Sequence, residues 1–233
     1  WLSIGVLVVP SDLRPSTRDR LLGIRRREGH KGEVHWPELP RDFDGVHSAA
    51  ARVALAWMEW FAEAPRIYFT CLALDRAQLS RSTENCFPDE VTMRNRFTRM
   101  AIESALARLP LGWNTKRVRL RIVIDERSRE RSKTGRRDNL ERYLQQHLRV
   151  KSWQDRGIAH TVSRLPERRR SDACIFLQLV DILTGATAAA LAGTATRPTK
   201  RKLTELARDY ARAGIIDLWG FPDANWKPFK PSL

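Results

Sequence analysis

Apolar residues follow two spacings along this chain, and each spacing predicts a different element. A period of two, or a short continuous apolar run, predicts strands over 1–9, 66–74, 117–125 and 158–165. Apolar residues three and four positions apart predict helices over 48–62, 91–109, 138–148, 173–191 and 203–213. Strands interleaved with helices in this order predict an α/β fold in which helices pack against a mixed sheet.

The connecting segments are polar. The basic stretch 14–31 is compatible with a helix or a solvated loop, whereas 126–139 reads as a mobile loop and 193–202 as a linker. The chain of 233 residues is long enough for one sizeable core. We expect one domain over 1–195, with the C-terminal helix and extended tail of 196–233 packed on it.

The charge is strongly positive. Lys and Arg total 42 against 27 acids, which gives a net charge of +15 and a pI near 10.7. Such a field attracts polyanions, and arginine suits bidentate contact with phosphate. Nucleic acid is therefore the expected partner. An anionic membrane surface and a merely solvated basic surface are the alternatives.

Cysteine content and hydropathy bear on the compartment. The three cysteines (Cys71, Cys86 and Cys174) are too few and scattered for a disulfide framework, which favours a reducing, cytoplasmic setting. The apolar run over 173–191 approaches the length of a membrane span. A central Asp181 costs about 2.5–3.5 kcal/mol in such a span, so the run is predicted to be a core helix, with no membrane partner.

Asp181 is the most conspicuous candidate for chemistry. A carboxylate within an almost wholly apolar helix is costly unless it is paired, hydrogen-bonded or bound to a metal. Gln178 and Gly185 share its helical face, and glycine there allows a close approach to the backbone. The alternative is a structural carboxylate satisfied by a buried arginine.

Asp125 and Glu33 are the next candidates. Asp125 closes an alternating strand just before a loop, where α/β folds often display functional side chains; a solvated acid opposite an arginine is the alternative. Glu33 lies two residues before His35 in a compact segment ended by Pro37, which could equally be a surface loop. The chain contains no zinc spacing, phosphate-binding glycine loop or nucleophile elbow.

Three segments together resemble the domain-of-unknown-function family 3800: Gly32–Trp36, Arg121–Asp125 and Leu177–Gly185. The last motif of that family reads approximately Leu-Gln-Leu-Ala-Asp-Leu-Leu-Ala-Gly. This chain differs from it by Val180, Ile182 and Thr184. The resemblance covers nearly the whole chain in order, and it implies an RNase H-like fold of the ribonuclease H superfamily, a mixed β-sheet flanked by helices.

The resemblance also implies a nuclease. Glu33, Asp125 and Asp181 would hold Mg²⁺ or Mn²⁺, for which hard oxygen ligands are suitable. His35 would orient the phosphate or relay a proton, with Gln178 and Gly185 in support. Basic residues would hold the nucleic-acid backbone, or would be solvated charges: Arg25, Arg26, Arg27, Arg127, Arg129, Arg136 and Arg137.

One feature of the family is missing from these residues. Its opening strand ends in Asp-Glu-Ser-Gly and carries a metal-ligating Asp, whereas Trp1–Pro10 resembles the following strand. Either the true N-terminus lies upstream, or the protein has lost a ligand and is inactive. Two other functions therefore stay open: a non-catalytic nucleic-acid-binding or scaffold subunit of a larger assembly, and a protein-interaction domain that uses Trp57 and Trp60, a spacing more typical of core.

Overall fold

The computed structural model of this chain describes residues 2–40, 47–75, 79, 87, 89–107, 117–126, 139–148, 150–153, 158–162, 164–221 and 230–231. The elements, in chain order, are β1 (Leu2–Val8), α1 (Arg14–Arg27), α2 (Ala49–Glu63), β2 (Tyr68–Leu74), α3 (Glu90–Ala107), β3 (Arg117–Leu120), β4 (Val123–Asp125), α4 (Leu140–His147), β5 (Val150–Trp153), β6 (Ile158–Val162), β7 (Glu167–Arg169), α5 (Ile175–Ala192), α6 (Pro198–Arg212) and β8 (Ile216–Phe221). The predicted mixed α/β character is thereby confirmed.

The chain divides into two compact units. The first unit comprises 1–81 and 171–233, and the second unit comprises 82–170. The domain boundary predicted at 195/196 falls inside the first unit, and α6 packs there against α5 and α2. Residues 222–229 of the predicted extended tail lie outside the described residues.

The first unit contains a mixed sheet in the order β1-β2-β8. β1 runs antiparallel to β2, with Gly5 opposite Cys71, and β8 runs parallel to β2, with Leu218 opposite Cys71. Every residue of β2 after Tyr68 is buried. This burial explains why its sequence is a nearly continuous apolar run, as is typical of a strand covered on both faces.

Helices cover this sheet, and α2 contributes two buried aromatic side chains to the core of the first unit. Trp57 of α2 is fully buried, and its indole N–H donates to the carbonyl of Leu21 at 3.1 Å. Phe61 meets Phe69 of β2 edge to face at 6.2 Å between ring centroids. Trp57 thus belongs to the core, whereas Trp60 is only half-buried.

α5 lies close to β1 because Gly5 has no side chain. A methyl group at Gly5 would lie only 1.9 Å from the hydroxyl oxygen of Thr184. By length and mean hydropathy α5 is the one helix among the described residues that could span a membrane. Half of its 18 residues are buried inside the protein, as is also typical of the core helix of a soluble protein.

The second unit is built on two small sheets and the helices α3 and α4. β3 runs parallel to β6, which runs antiparallel to β5, while β4 and β7 form a separate parallel pair. α3 and α4 pack together, and their buried side chains include Phe97, Leu140 and Leu144. Residues 127–138 of the loop predicted over 126–139 lie outside the described residues.

The single strand predicted over 117–125 is wrong, because the structure has two short strands there. Only residues 121 and 122 separate β3 from β4, whereas four residues separate β6 from β7 on the partner side. One of those four is Pro166, which has no N–H to donate to a ladder. The unequal spacing breaks the ladder into two, bridged by the Glu167 N–H donating to the Ile122 carbonyl at 2.9 Å.

The structure settles one open element and moves the start of one predicted helix. The basic stretch left open between helix and loop forms α1, with Pro15 in its first turn, and Gly29 follows it at φ +70°. The predicted linker over 193–202 is shorter, because α6 begins at Pro198. A proline at the first position of a helix has the φ that the helix needs, and its missing N–H would have no partner there.

Candidate functional site

The candidate site is built on one face of α5. Gln178, Asp181 and Gly185 are spaced along that face, and segment 33–36 lies against it. Gln178 is buried, whereas the side chain of Asp181 is 32% exposed. The structure therefore brings together, within the first unit, the α5 residues and the early segment that the sequence singles out.

Two side chains of α5 hold the backbone of this segment. The Val34 N–H donates to the Gln178 Oε1 atom at 3.1 Å, and the Trp36 N–H donates to the Asp181 Oδ2 atom at 2.6 Å. The amide nitrogen of Gln178 in turn donates to the Ser171 carbonyl at 2.8 Å. These bonds compensate for the burial of polar groups on an apolar helix.

His35 lies between two carboxylates. Its Nε2 atom is 3.5 Å from the Asp181 Oδ2 atom, and its Nδ1 atom is 3.8 Å from the Glu38 Oε1 atom. The imidazole is 17% exposed, and its Nδ1 atom is shielded from solvent. A ring nitrogen near a carboxylate can donate to it or pass a proton, which is the chemistry expected of His35.

Trp36 occupies the space that Gly185 leaves open. A methyl group at Gly185 would lie 2.3 Å from the Cγ atom of the Trp36 ring, so only glycine permits this packing. The ammonium group of Lys200, on α6, lies 4.8 Å from the centroid of the same ring, a cation–π distance. The Trp36 ring is thereby held by two helices, α5 and α6. The backbone N–H of Trp36 is directed at Asp181.

Glu33 precedes this arrangement on the same segment. Its side chain is half-buried, and the Oε1 atom is shielded from solvent. Its backbone carbonyl lies 3.1 Å from a ring nitrogen of His30. Glu33 thus lies in a segment without helix or strand, with its side chain only partly exposed.

Asp125 lies in the second unit, as the last residue of β4. It is half-buried, and its register partner across the parallel pair is Arg169. The guanidinium of Arg169 donates to the Glu167 carboxylate at 3.0 Å. The predicted position at the end of a strand is therefore what the structure shows.

The donors of the first unit suit a hard divalent cation in type but not in number. Among the described residues, no group of three or more His, Cys, Asp and Glu could hold a metal ion. Magnesium commonly uses only one or two carboxylates and retains several waters. A carboxylate has about four acceptor sites, so the bond from Trp36 is compatible with a cation on Asp181.

The basic residues predicted to hold a nucleic-acid backbone fall into two groups. Arg25, Arg26 and Arg27 form the last turn of α1, where positive charge also stabilises the helix dipole. Arg26 and Arg27 are exposed, and Arg27 donates to Glu28 at 3.1 Å. The remaining four lie outside the described residues: Arg127, Arg129, Arg136 and Arg137.

Burial of Cys71 in the sheet of the first unit disfavours a role for its thiol as a nucleophile. Cys71 is fully enclosed in β2, and desolvation raises the pKa of its thiol to about 12. At neutral pH the group is therefore a protonated thiol, and a thiol is a weak nucleophile.

The sequence reasoning missed Trp36 and Lys200 as parts of the site. A tryptophan next to His35 and a glycine one turn beyond Asp181 were both visible, and small and large residues often pack together. No pattern in the sequence pairs Lys200 with a ring 164 positions earlier. No protein-family model, curated protein or solved structure matches this chain.

Proposed function

We propose that this protein is a metal-dependent nuclease that cleaves phosphodiester bonds of DNA or RNA. The observation that carries the proposal is the placement of Asp181. Its carboxylate is one-third exposed on an otherwise apolar helix, accepts a backbone N–H, and has an imidazole 3.5 Å away. The resemblance to domain-of-unknown-function family 3800, with its RNase H-like fold, supports the same function.

The proposed division of roles follows from the chemistry of each residue. Asp181, with Glu33 on the neighbouring segment of the same unit, would hold Mg²⁺ or Mn²⁺, and the bound ion would activate water and neutralise charge on the scissile phosphate. His35, 3.5 Å from Asp181, would donate a hydrogen bond to a phosphate oxygen or accept a proton from the attacking water. Gln178, Gly185 and Trp36 fix the segment that carries Glu33 and His35.

The test is cleavage of labelled single-stranded and double-stranded DNA and RNA by the full chain with Mn²⁺. We expect EDTA to abolish cleavage and Asp181→Asn to reduce it to background. Asparagine keeps an oxygen that can accept from the Trp36 N–H, so the melting temperature should stay close to that of the wild type. Asp19→Asn, at an exposed position of α1, is the matched control and should cleave normally.

Cleavage that persists in well-folded Asp181→Asn would refute this role, and so would a complete lack of cleavage of all four substrates with Mn²⁺. A non-catalytic nucleic-acid-binding or scaffold subunit, with protein partners in a larger assembly, is the second candidate. This function is favoured because Gln178 and Asp181 already accept hydrogen bonds from the backbone of segment 34–36, which is a structural role. That function predicts salt-sensitive binding in EDTA without turnover.

A further inference from the structure

Two arginines of α3 each lie beside an aromatic ring that another segment of the second unit contributes. The Arg96 guanidinium carbon lies 5.6 Å from the centroid of the Phe87 ring, and that of Arg99 lies 5.9 Å from the Tyr143 ring. Residues three positions apart in a helix are surface neighbours. The two pairs therefore lie on adjoining turns of the same helix face.

On α4, Tyr143 is followed by a second, exposed ring, that of His147. The Tyr143 and His147 ring centroids are 4.4 Å apart with an interplanar angle of 51°. Leu140 and Leu144 are buried, which fixes the inward side of α4. Tyr143 is half-buried and His147 is exposed. The three side chains therefore follow one another from the protein towards solvent: Arg99, then Tyr143, then His147.

The electrostatic surroundings favour an anion. In the part of the chain that the structure describes, two acids are paired with arginines here: the Glu103 Oε1 atom is 3.8 Å from the Arg99 Nε atom, and the Glu141 carboxylate accepts from the Arg168 guanidinium. Arg96 and Arg142 are exposed on the same two helices. Across residues 82–170, 22 Lys and Arg stand against 11 Asp and Glu.

We propose that Arg99, Tyr143 and His147, with Arg96 beside them, form a stacking site for an unpaired base of single-stranded DNA or RNA. Rings interleaved with cations suit a ligand that has both flat faces and phosphates, and each base offers such a face. A duplex keeps those faces inside its own stack. The proposal rests on the proposed function for its nucleic-acid partner, but it does not require cleavage.

The experiment measures binding of labelled oligonucleotides to the full chain by fluorescence anisotropy in EDTA. His147→Ala removes an exposed ring without touching the core, and Tyr143→Leu removes the second ring while keeping an apolar side chain. We expect each to weaken single-strand binding by about 5- to 100-fold, the range for one stacked base. Gln146→Ala, exposed on the same helix, is the matched control and should bind normally.

Three further arms give the result its meaning. His147→Phe keeps a flat ring and should restore most of the affinity. A duplex of the same sequence should lose less than about twofold, since its bases are not available for stacking. Parallel DNA and RNA oligonucleotides show which of the two single strands is preferred.

Salt dependence separates stacking from charge. The loss in His147→Ala should be the same factor at low and high salt, whereas Arg142→Gln should lower the slope of log affinity against log salt by about 0.7. The proposal is overturned if His147→Ala binds single strands normally, or if it weakens duplex binding equally. Cleavage that depends on Asp181 with normal binding by His147→Ala would refute this site alone, and stacking without any cleavage would refute only the nuclease.

Discussion

The two units of this protein differ in how they balance apolar core against charge. The first unit holds 20 Lys and Arg against 16 Asp and Glu, a net charge of +4, and buries Trp57, Phe61 and Phe69. The second unit is shorter and has a net charge of +11. Most of the charge that attracts a polyanion thus belongs to the unit with the smaller sheets.

In the second unit, ion pairs surround the polar strand β7. Arg121 and Arg169 both donate to Glu167, and Arg168 donates to Glu141. The hydrogen bond from Arg121, followed by that from Arg169, lowers the pKa of the Glu167 carboxyl. The comparison teaches that a strand as polar as β7 can be stabilised by its partners when its own sequence does not favour a strand.

The largest effect is expected from Glu141→Gln in the second unit. The Arg168 side chain is only 8% exposed, and removing the charge of its carboxylate partner should lower the free energy of unfolding by about 3 kcal/mol. Urea unfolding measures the loss, and hydrogen exchange should show faster opening at 164–170. Glu59→Gln, exposed on α2, should change stability by less than about 0.5 kcal/mol. Equal effects of the two variants would remove the contrast between the units.

A smaller effect is expected from Gly185→Ala in the first unit. The added methyl group displaces the Trp36 ring, at a cost of about 1–3 kcal/mol in unfolding free energy, and weakens the Trp36 bond to Asp181. Gly23→Ala is the opposite control: its methyl group meets nothing within 4 Å, and α1 should gain about 0.5–1 kcal/mol. Thermal unfolding of both variants measures the difference, and an unchanged melting temperature for Gly185→Ala would contradict the packing.

The smallest effect concerns an ion pair of the first unit. Hydrogen bonds from Arg52 and then Arg27 lower the pKa of Glu28, which joins α1 to α2. Because the folded pKa is the lower one, this stabilisation is present above the unfolded value near 4.5 and is lost as the pH falls through the folded pKa. Arg52 is 46% exposed, so Glu28→Gln should cost only about 0.5–1 kcal/mol at pH 7. The difference from wild type should disappear in strong acid; a constant difference would show that charge is not its cause.

Periodicity was sufficient to place the elements with strong apolar patterns. The helix predicted over 48–62 is α2, and Ser48 caps it by accepting from the Ala51 N–H. The strand predicted over 66–74 is β2. Such segments bury most of one face, so the spacing of their apolar residues already indicates which side chains pack in the core.

Elements that depend on partners were not predicted. β7 has the sequence Glu-Arg-Arg, which no strand propensity favours, and it forms because β4 pairs with it. β8 is a different case, because its apolar residues lie between Gly214 and Pro222 and could have been recognised as a buried strand. At the site, the apolar residues around Asp181 were sufficient to identify it as a candidate. Its bond to the Trp36 backbone joins residues 145 positions apart, so it was not predicted.

The connection between β6 and β7 is longer than the one between β3 and β4, which faces it. Its length is a feature that deletion or insertion of residues can change. Residues 163–166 exceed the facing segment by two, and that surplus decides whether Asp125 belongs to its own ladder or continues the preceding one. Deleting two residues there would let both ladders merge into one straight strand. The ladder to which Asp125 belongs would then be set by loop length alone, with the sequence of the first-unit core unchanged.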